Sequence, residues 1–255
     1  MGLRDSYPTS TFCWIHLNTT DADSARTYYS ELFGWTFTDP DTGALQDLAV
    51  AGLRGMGTGE GEGDTSFWLS FISVESADAM TQKAEGLGAH VLAPPFDVGS
   101  SGRMAVMQDP VGAVFAVWEP GEEIGARIVN QHGTLCWNEL ITTDAEVAGT
   151  FYSTLFDWTV EPYGDSYTVF INGDRPAGGL LTPDDASSQE SSQAPAHWLV
   201  YFNVDDCDAV LERSNALGGG VRMPPDDWPE VGRGAVLIDP QGATFGAMFL
   251  QDPPD

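Results

Sequence analysis

Hydrophobic and polar positions alternate along this chain with two periods, and the switches between them mark its elements. Phe12 to Asn18 is an aromatic and β-branched run that predicts a strand. Asp21 then stands as a helix N-cap. Ala25, Tyr28, Tyr29 and Leu32 recur on one face as far as Phe33-Gly34, which predicts a helix. Residues 67–74 read as a second strand and 76–87 as a second helix. A strand opening at Gly102-Arg103 ends in Asp109-Pro110-x-Gly112, and a last strand runs from Ala113 to Trp118. Asp-Pro-x-Gly between two apolar runs predicts a tight hairpin, because Pro presets φ and Gly supplies the positive φ of the turn.

Nearly the same text then recurs. Cys13-Trp14-Ile15-His16-Leu17-Asn18-Thr19-Thr20-Asp21 returns as Cys136-Trp137-Asn138-Glu139-Leu140-Ile141-Thr142-Thr143-Asp144, 123 positions later. Tyr29-Ser30-Glu31-Leu32-Phe33-Gly34-Trp35 returns as Tyr152-Ser153-Thr154-Leu155-Phe156-Asp157-Trp158 at the same offset. Trp198-Leu199 follows Trp68-Leu69 by 130 positions, so seven extra residues lie between Trp158 and Trp198. The second copy of the hairpin is Asp239-Pro240-x-Gly242. Each half reads as β-α-β followed by antiparallel strands. The expected fold is α+β, with one module at 10–120, a linker at 121–131 and a second module at 132–250. Gly52 to Asp64 and Thr182 to Ala196 read as loops that could serve as lids, and Pro94-Pro95 and Pro224-Pro225 read as matching turns.

Composition narrows the function. The formal charge is −28 with one lysine, Lys83, which disfavours nucleic acid and anionic membranes as partners. The partner expected is a small molecule, bound by a monomer or a homodimer. Cys13, Cys136 and Cys207 are odd in number and lack a CxxC spacing, so they read as reduced thiols of a cytoplasmic protein. Met1 to Ser10 lacks a basic segment followed by an apolar one, so no secretory signal is expected.

Two copies, in the same order, of the strand before Thr-Thr-Asp, the Tyr-x-x-Leu-Phe-x-Trp helix end and the Asp-Pro-x-Gly hairpin resemble the vicinal oxygen chelate superfamily. That superfamily includes glyoxalase I, extradiol dioxygenases and bleomycin-resistance proteins. The Cys-Trp-x-x-Leu-x-Thr-Thr-Asp form is similar to its actinobacterial glyoxalase-like and hydroxylase-like branch, which includes a mycobacterial antigen of about this length. The resemblance implies paired βαβββ modules whose curved mixed sheets form cups. In metal-dependent members it places ligands at three strand positions. Here these are Trp14 or Trp137, Leu69 or Leu199, and Ala116 or Gly246. None of the six side chains donates to a divalent ion, so no metal or other cofactor is expected at that position.

Strand alternation predicts what the cups hold instead. If Trp14 faces inward, so do Phe12, His16 and Asn18, with Phe67, Leu69, Phe71, Val114, Ala116 and Trp118. The second cup gathers Trp137, Glu139, Ile141, His197, Leu199, Tyr201, Asn203, Thr244, Gly246 and Met248. The mismatches between copies are the candidates for chemistry: His16 against Glu139, Phe67 against His197, Phe71 against Tyr201. Glu139 as base, His197 or His16 as its partner or acid and Tyr201 as hydrogen-bond donor would form an acid/base set. Alternatively Glu139 is satisfied by one of those histidines without any chemistry. Trp14, Trp137 and Trp118 would stack on a ligand, with Phe67, Phe71, Asn203 and Met248 lining it. Arg103 and Arg233 are repeat mates, read either as structural ion pairs or as anchors for an anionic group.

Three functions fit these residues. One is a metal-independent isomerase, cyclase or lyase acting on an aromatic or polyketide-like metabolite. Another is a protein that sequesters such a molecule, and a third is a metal-dependent lyase or dioxygenase using a displaced site at Glu139 and His197.

Overall fold

The computed structural model describes residues 2–57, 65–164, 167–183 and 195–250. The first module contains β1 (Phe12–Thr19), α1 (Ala22–Phe33), β2 (Thr36–Asp39), β3 (Thr42–Leu45), β4 (Leu48–Gly55), β5 (Phe67–Ser73), α2 (Ala77–Gly86), β6 (His90–Val98), β7 (Gly102–Gln108) and β8 (Val114–Pro120). The second contains β9 (Thr134–Ile141), α3 (Ala145–Phe156), β10 (Thr159–Tyr163), β11 (Tyr167–Asn172), β12 (Arg175–Leu181), β13 (His197–Asn203), α4 (Cys207–Ala216), β14 (Gly220–Trp228), β15 (Gly232–Ile238) and β16 (Thr244–Leu250). Each module is one mixed eight-stranded sheet, in the orders β2-β3-β4-β1-β5-β8-β7-β6 and β10-β11-β12-β9-β13-β16-β15-β14. The sheets are curved and do not close. Within each module the order βαβββ occurs twice, and β1 and β5, or β9 and β13, are the two central strands.

Each helix starts at a side-chain cap, as the sequence reading expected at Asp21 and its repeat mate Asp144. Asp21, Ser76, Asp144 and Asp206 each accept a backbone N–H from three residues on, which satisfies one of the orphan donors of the first turn. Strands β2 to β4 and β10 to β12 are the elements whose pattern is too irregular to read. Gly52 to Gly55, expected in a loop, completes β4 beside β1. Residues 58–64 and 184–194 of the two supposed lids lie outside the described residues. Pro94-Pro95 and Pro224-Pro225 are not turns. They sit inside β6 and β14, at register shifts between Ala93 and Phe96 and between Met223 and Asp226. Proline is tolerated there because both are edge strands and the bulges remove the need for its missing N–H.

The cores lie on the helix side of the sheets, and both are shared between modules. One gathers α1 residues Tyr28, Tyr29, Leu32 and Phe33 with Ile15, Leu17 and Trp68 of the first sheet. It continues into Phe202, Ala235, Leu237 and Phe245 of the second. The other places Phe151, Tyr152, Leu155 and Phe156 of α3 against Phe115 and Met107 of the first sheet. A hydrogen-bonded relay crosses each junction. Trp68 Nε1 donates to the Tyr29 hydroxyl at 3.2 Å, and that hydroxyl donates to Oδ2 of the hairpin Asp239 at 3.0 Å. In the repeat, Trp198 Nε1 donates to the Tyr152 hydroxyl at 2.9 Å, with Asp109 as the neighbouring carboxylate. Trp35 Nε1 likewise reaches the Gly133 carbonyl, and Trp158 Nε1 the Ser10 carbonyl.

Tyr29→Phe leaves the buried Asp239 oxygen and the Trp68 N–H without that partner. Its expected cost is about 1–3 kcal/mol, read as a lower urea midpoint at unchanged slope. An unchanged midpoint would show that the relay carries no stability.

The segment between the modules is pinned. Ala126 N donates to the Cys13 carbonyl and Arg127 N to the Ala49 carbonyl, both at 2.8 Å. Ala126, Ile128 and Val129 are buried. His132 stands edge-on to Phe33, and its Nδ1 accepts the Asp205 N–H at 3.2 Å.

Candidate functional site

The concave face of the second sheet carries a carboxylate held between phenols. Central strands β9 and β13 pair Trp137 with Tyr201, Glu139 with Leu199 and Ile141 with His197. On the outer sides of this pair, Glu139 faces Gly179 of β12 and Tyr201 faces Gly246 of β16. Both glycines are required for space. A Cβ on Gly246 would collide with the Tyr201 ring, and one on Gly179 with the Tyr167 hydroxyl. The two aromatic rings occupy the volume that larger residues would have taken.

Glu139 is 8% exposed. The Tyr201 hydroxyl donates to its Oε2 at 2.9 Å, and Tyr167 stands beside the same carboxylate. The Tyr167 hydroxyl itself accepts from Trp137 Nε1 at 3.0 Å. Burial pushes the Glu139 pKa above its ordinary 4.5, while the Tyr201 and Tyr167 hydroxyls pull it back. Burial beside that carboxylate raises both phenols, so they remain neutral donors. Leu199, Tyr201, Val236 and Met248 form the floor, against which Trp137, Met223 and Trp228 pack.

Tyr167 is the member of this site that sequence reasoning missed. It has no repeat mate to point to it, and it lies in the irregular stretch after Trp158. The available signal was Gly178-Gly179, a pair of glycines on a strand next to Glu139.

The expected imidazole partners do not join this carboxylate. His197 shares the concave face but its Nδ1 lies 2.9 Å from the Pro195 carbonyl, and burial lowers its pKa, which favours the neutral ring. His16 belongs to the other sheet, where its ring packs over Gly52 of β4. Asn203 ends β13, and its carbonyl accepts from Gly133 N at 2.8 Å.

The first cup is built on Leu69, Phe71, Ala116 and Trp118, with Trp14, Met104 and Val106 against them. The Trp118 indole is engaged, its Nε1 donating to the Glu123 carbonyl at 2.9 Å. Phe12 does not face this cup. A register shift between Phe12 and Trp14 turns it to the opposite side, where it packs on Trp158 and Trp198. Phe67 stands at the open end, 43% exposed, opposite Asn18.

At the three positions where the fold's metal-dependent members would carry ligands, the donor set does not fit a metal. Trp14, Leu69 and Ala116 pack as cup wall, and in the second module the Tyr201 ring fills the space at Gly246. Among the described residues no group of three or more His, Cys, Asp or Glu side chains is arranged to hold an ion. Arg103 and Arg233 adopt the ion-pair reading. Arg103 binds Asp78 and Asp97, and Arg233 binds Asp208 and Asp227, at 2.7–2.9 Å. A shallow cleft outside the second cup, lined by Trp228, Arg233 and Phe249, does not include Glu139.

Two tandem modules with open mixed sheets and aromatic concave faces define a protein of the vicinal oxygen chelate fold. The sequence matches the glyoxalase-like domain family over residues 14–118 and 135–248, and the chain belongs to that family. It is 38% identical to CFP32 of Mycobacterium tuberculosis, over 97% of this chain and 98% of that protein. It is 34% identical to the anthracycline biosynthesis protein DnrV of Streptomyces peucetius, over 94% and 93%. Among solved structures it is similar to a Mn(II)-bound glyoxalase from Novosphingobium aromaticivorans, with a TM-score of 0.69 at 15% identity, covering 97% of this chain and 84% of that one. The 2,3-dioxygenase LapB from Pseudomonas follows a similar course, with a TM-score of 0.63 at 11% identity, covering 97% and 95%. At such identities the likeness concerns the fold. Among the described residues no helix is long and apolar enough to cross a membrane.

Proposed function

We propose that the protein is a metal-independent enzyme that binds an aromatic, polyketide-like metabolite in its second cup and moves a proton with Glu139. The observation that carries this reading is the Glu139 carboxylate itself: buried, raised in pKa and clamped by Tyr201 on an aromatic wall. A buried carboxylate with no cation beside it among the described residues is costly, and carboxylates perturbed in this way cluster at functional sites. Ionised, it is a stronger base than a solvated one. It would take a proton from a carbon next to a ligand carbonyl and return it to another atom of the same molecule. The Tyr201 hydroxyl, a neutral donor, would hold Oε2 so that Oε1 points to the ligand, and Trp137 would stack on the ring system. This sequence isomerises or cyclises its substrate with no net gain or loss of protons. The 34% identity to an anthracycline biosynthesis protein supports the polyketide class.

The second reading is sequestration, favoured because both His16 and His197 stand away from the carboxylate. A binder needs only aromatic walls and a few polar anchors. The two are separated by incubating purified protein with an anthraquinone-type polyketide and following the ligand by mass and retention time. The enzyme reading expects product beyond one equivalent, insensitive to EDTA. Tight stoichiometric binding with the ligand recovered unchanged would support sequestration. Turnover lost on chelation and restored by a divalent ion would refute metal independence.

A further inference from the structure

The two cups have opposite electrostatic character at equivalent positions. Where the second module sets Glu139 on β9 against Gly179 on β12, the first sets His16 on β1 against Gly52 on β4. Two pairs further along, on the same face, the apolar Ile141 and Leu181 of the second module are replaced by Asn18 and Arg54. Strand parity puts His16, Asn18 and Arg54 on the same concave face, and the His16 ring lies over Gly52, where any Cβ would meet it. Asn18 is 4% exposed, and its Oδ1 accepts from Arg54 Nε at 2.8 Å. That bond fixes the plane of an otherwise exposed guanidinium and leaves its two terminal nitrogens directed elsewhere.

Arg54 differs in this respect from Arg26, Arg103, Arg127, Arg213 and Arg233, each of which pairs with a carboxylate. In a chain with 38 acidic residues against 10 basic ones, Arg54 has no carboxylate partner among the described residues. It is held by a buried amide instead, which orients it without neutralising it. Beside it, burial and the Arg54 charge depress the His16 pKa to about 4. The imidazole is therefore neutral and able to donate one hydrogen bond. Trp14 lies two residues before His16 on the same face, and the Phe67 ring is open at the rim opposite Asn18.

We infer that the first cup is a second binding site, for a planar aromatic molecule bearing a carboxylate. Arg54 would engage the carboxylate through its terminal nitrogens, His16 would donate to it, and Trp14 and Phe67 would flank the ring. A guanidinium presents two parallel N–H groups that match a carboxylate's two oxygens, which an amide or neutral ring cannot use equally. This site is independent of the chemistry assigned to Glu139.

Calorimetry with 2-naphthoate and its neutral analogue 2-naphthamide tests it. The naphthoate is expected to bind more tightly than the amide, by on the order of tenfold or more. Arg54→Met should abolish that preference, and Arg54→Lys should restore part of it. Arg54 is exposed, so these variants should keep the near-UV circular dichroism of the parent. Glu139→Gln should leave naphthoate affinity unchanged, which distinguishes this site from the second cup. Equal affinity for acid and amide, an unaffected Arg54→Met, absence of naphthoate binding, or loss of that binding in Glu139→Gln would each overturn the inference.

Discussion

Glu139→Gln should reduce turnover of the substrate by about two to four orders of magnitude while leaving ligand affinity within a small factor. The new amide fills the same space and still accepts from the Tyr201 hydroxyl, but it cannot take a proton at neutral pH. The same substitution should raise stability, and the sign follows from burial. The folded-state pKa of Glu139 is raised above its ordinary 4.5. The native state therefore binds the proton more tightly than the unfolded chain. The stability this provides is complete below about pH 4.5 and is lost as pH rises through the folded-state pKa. The Glu139→Gln variant has no such dependence at this position. Its melting temperature should match the wild type in acid and exceed it increasingly toward neutral pH. Full turnover in Glu139→Gln would remove the carboxylate from the mechanism, and a gap that shrinks with rising pH would contradict the burial argument.

Separating the modules should have the largest effect on the fold. Chains 1–120 and 121–255, each expressed alone, are expected to lack cooperative unfolding and near-UV circular dichroism, and to regain both when mixed. The physical cause is the position of α1 and α3. Tyr28, Tyr29 and Phe33 of the first half all pack on Phe245 of the second. Phe151, Tyr152 and Phe156 of the second all pack on Phe115 of the first. Each half alone would expose an aromatic stripe, and fully burying one large apolar side chain is worth about 1.5–3 kcal/mol. A half that melted cooperatively by itself would show that its own sheet suffices as a core.

The duplication in the sequence was enough to reveal two modules, the four helices, the caps Asp21 and Asp144, and the central strands. It did not disclose β2 to β4 and β10 to β12, since glycines and edge positions there obscure the alternation. It also placed Pro94-Pro95 in a turn, because bulged edge strands escape the usual exclusion of proline from sheets. Alternation predicts the facing correctly where register is unbroken, as for Tyr201 beside Glu139, and fails at Phe12, where one bulge reverses it. The partners of Glu139 were only half legible. Tyr167, like Arg54 in the other module, lies on a strand that the pattern did not disclose, and each matters only through the neighbour that sheet pairing gives it.

The aromatic cores lie on one side of each sheet and the cups on the other. A strand in this protein therefore answers to two separate demands, residue by residue. Ile15 and Leu17 must suit a partner module, whereas His16 and Asn18, on the other face, meet Gly52 and Arg54 of the neighbouring strand. Between the copies the concave positions His16 and Asn18 become Glu139 and Ile141, while on the core face Leu17 keeps its match in Leu140 and Ile15 gives way to a buried Asn138 bonded to Ser70. One chain can in this way come to hold two unlike receptors, and a designer could exchange the odd or even residues of a strand as a set.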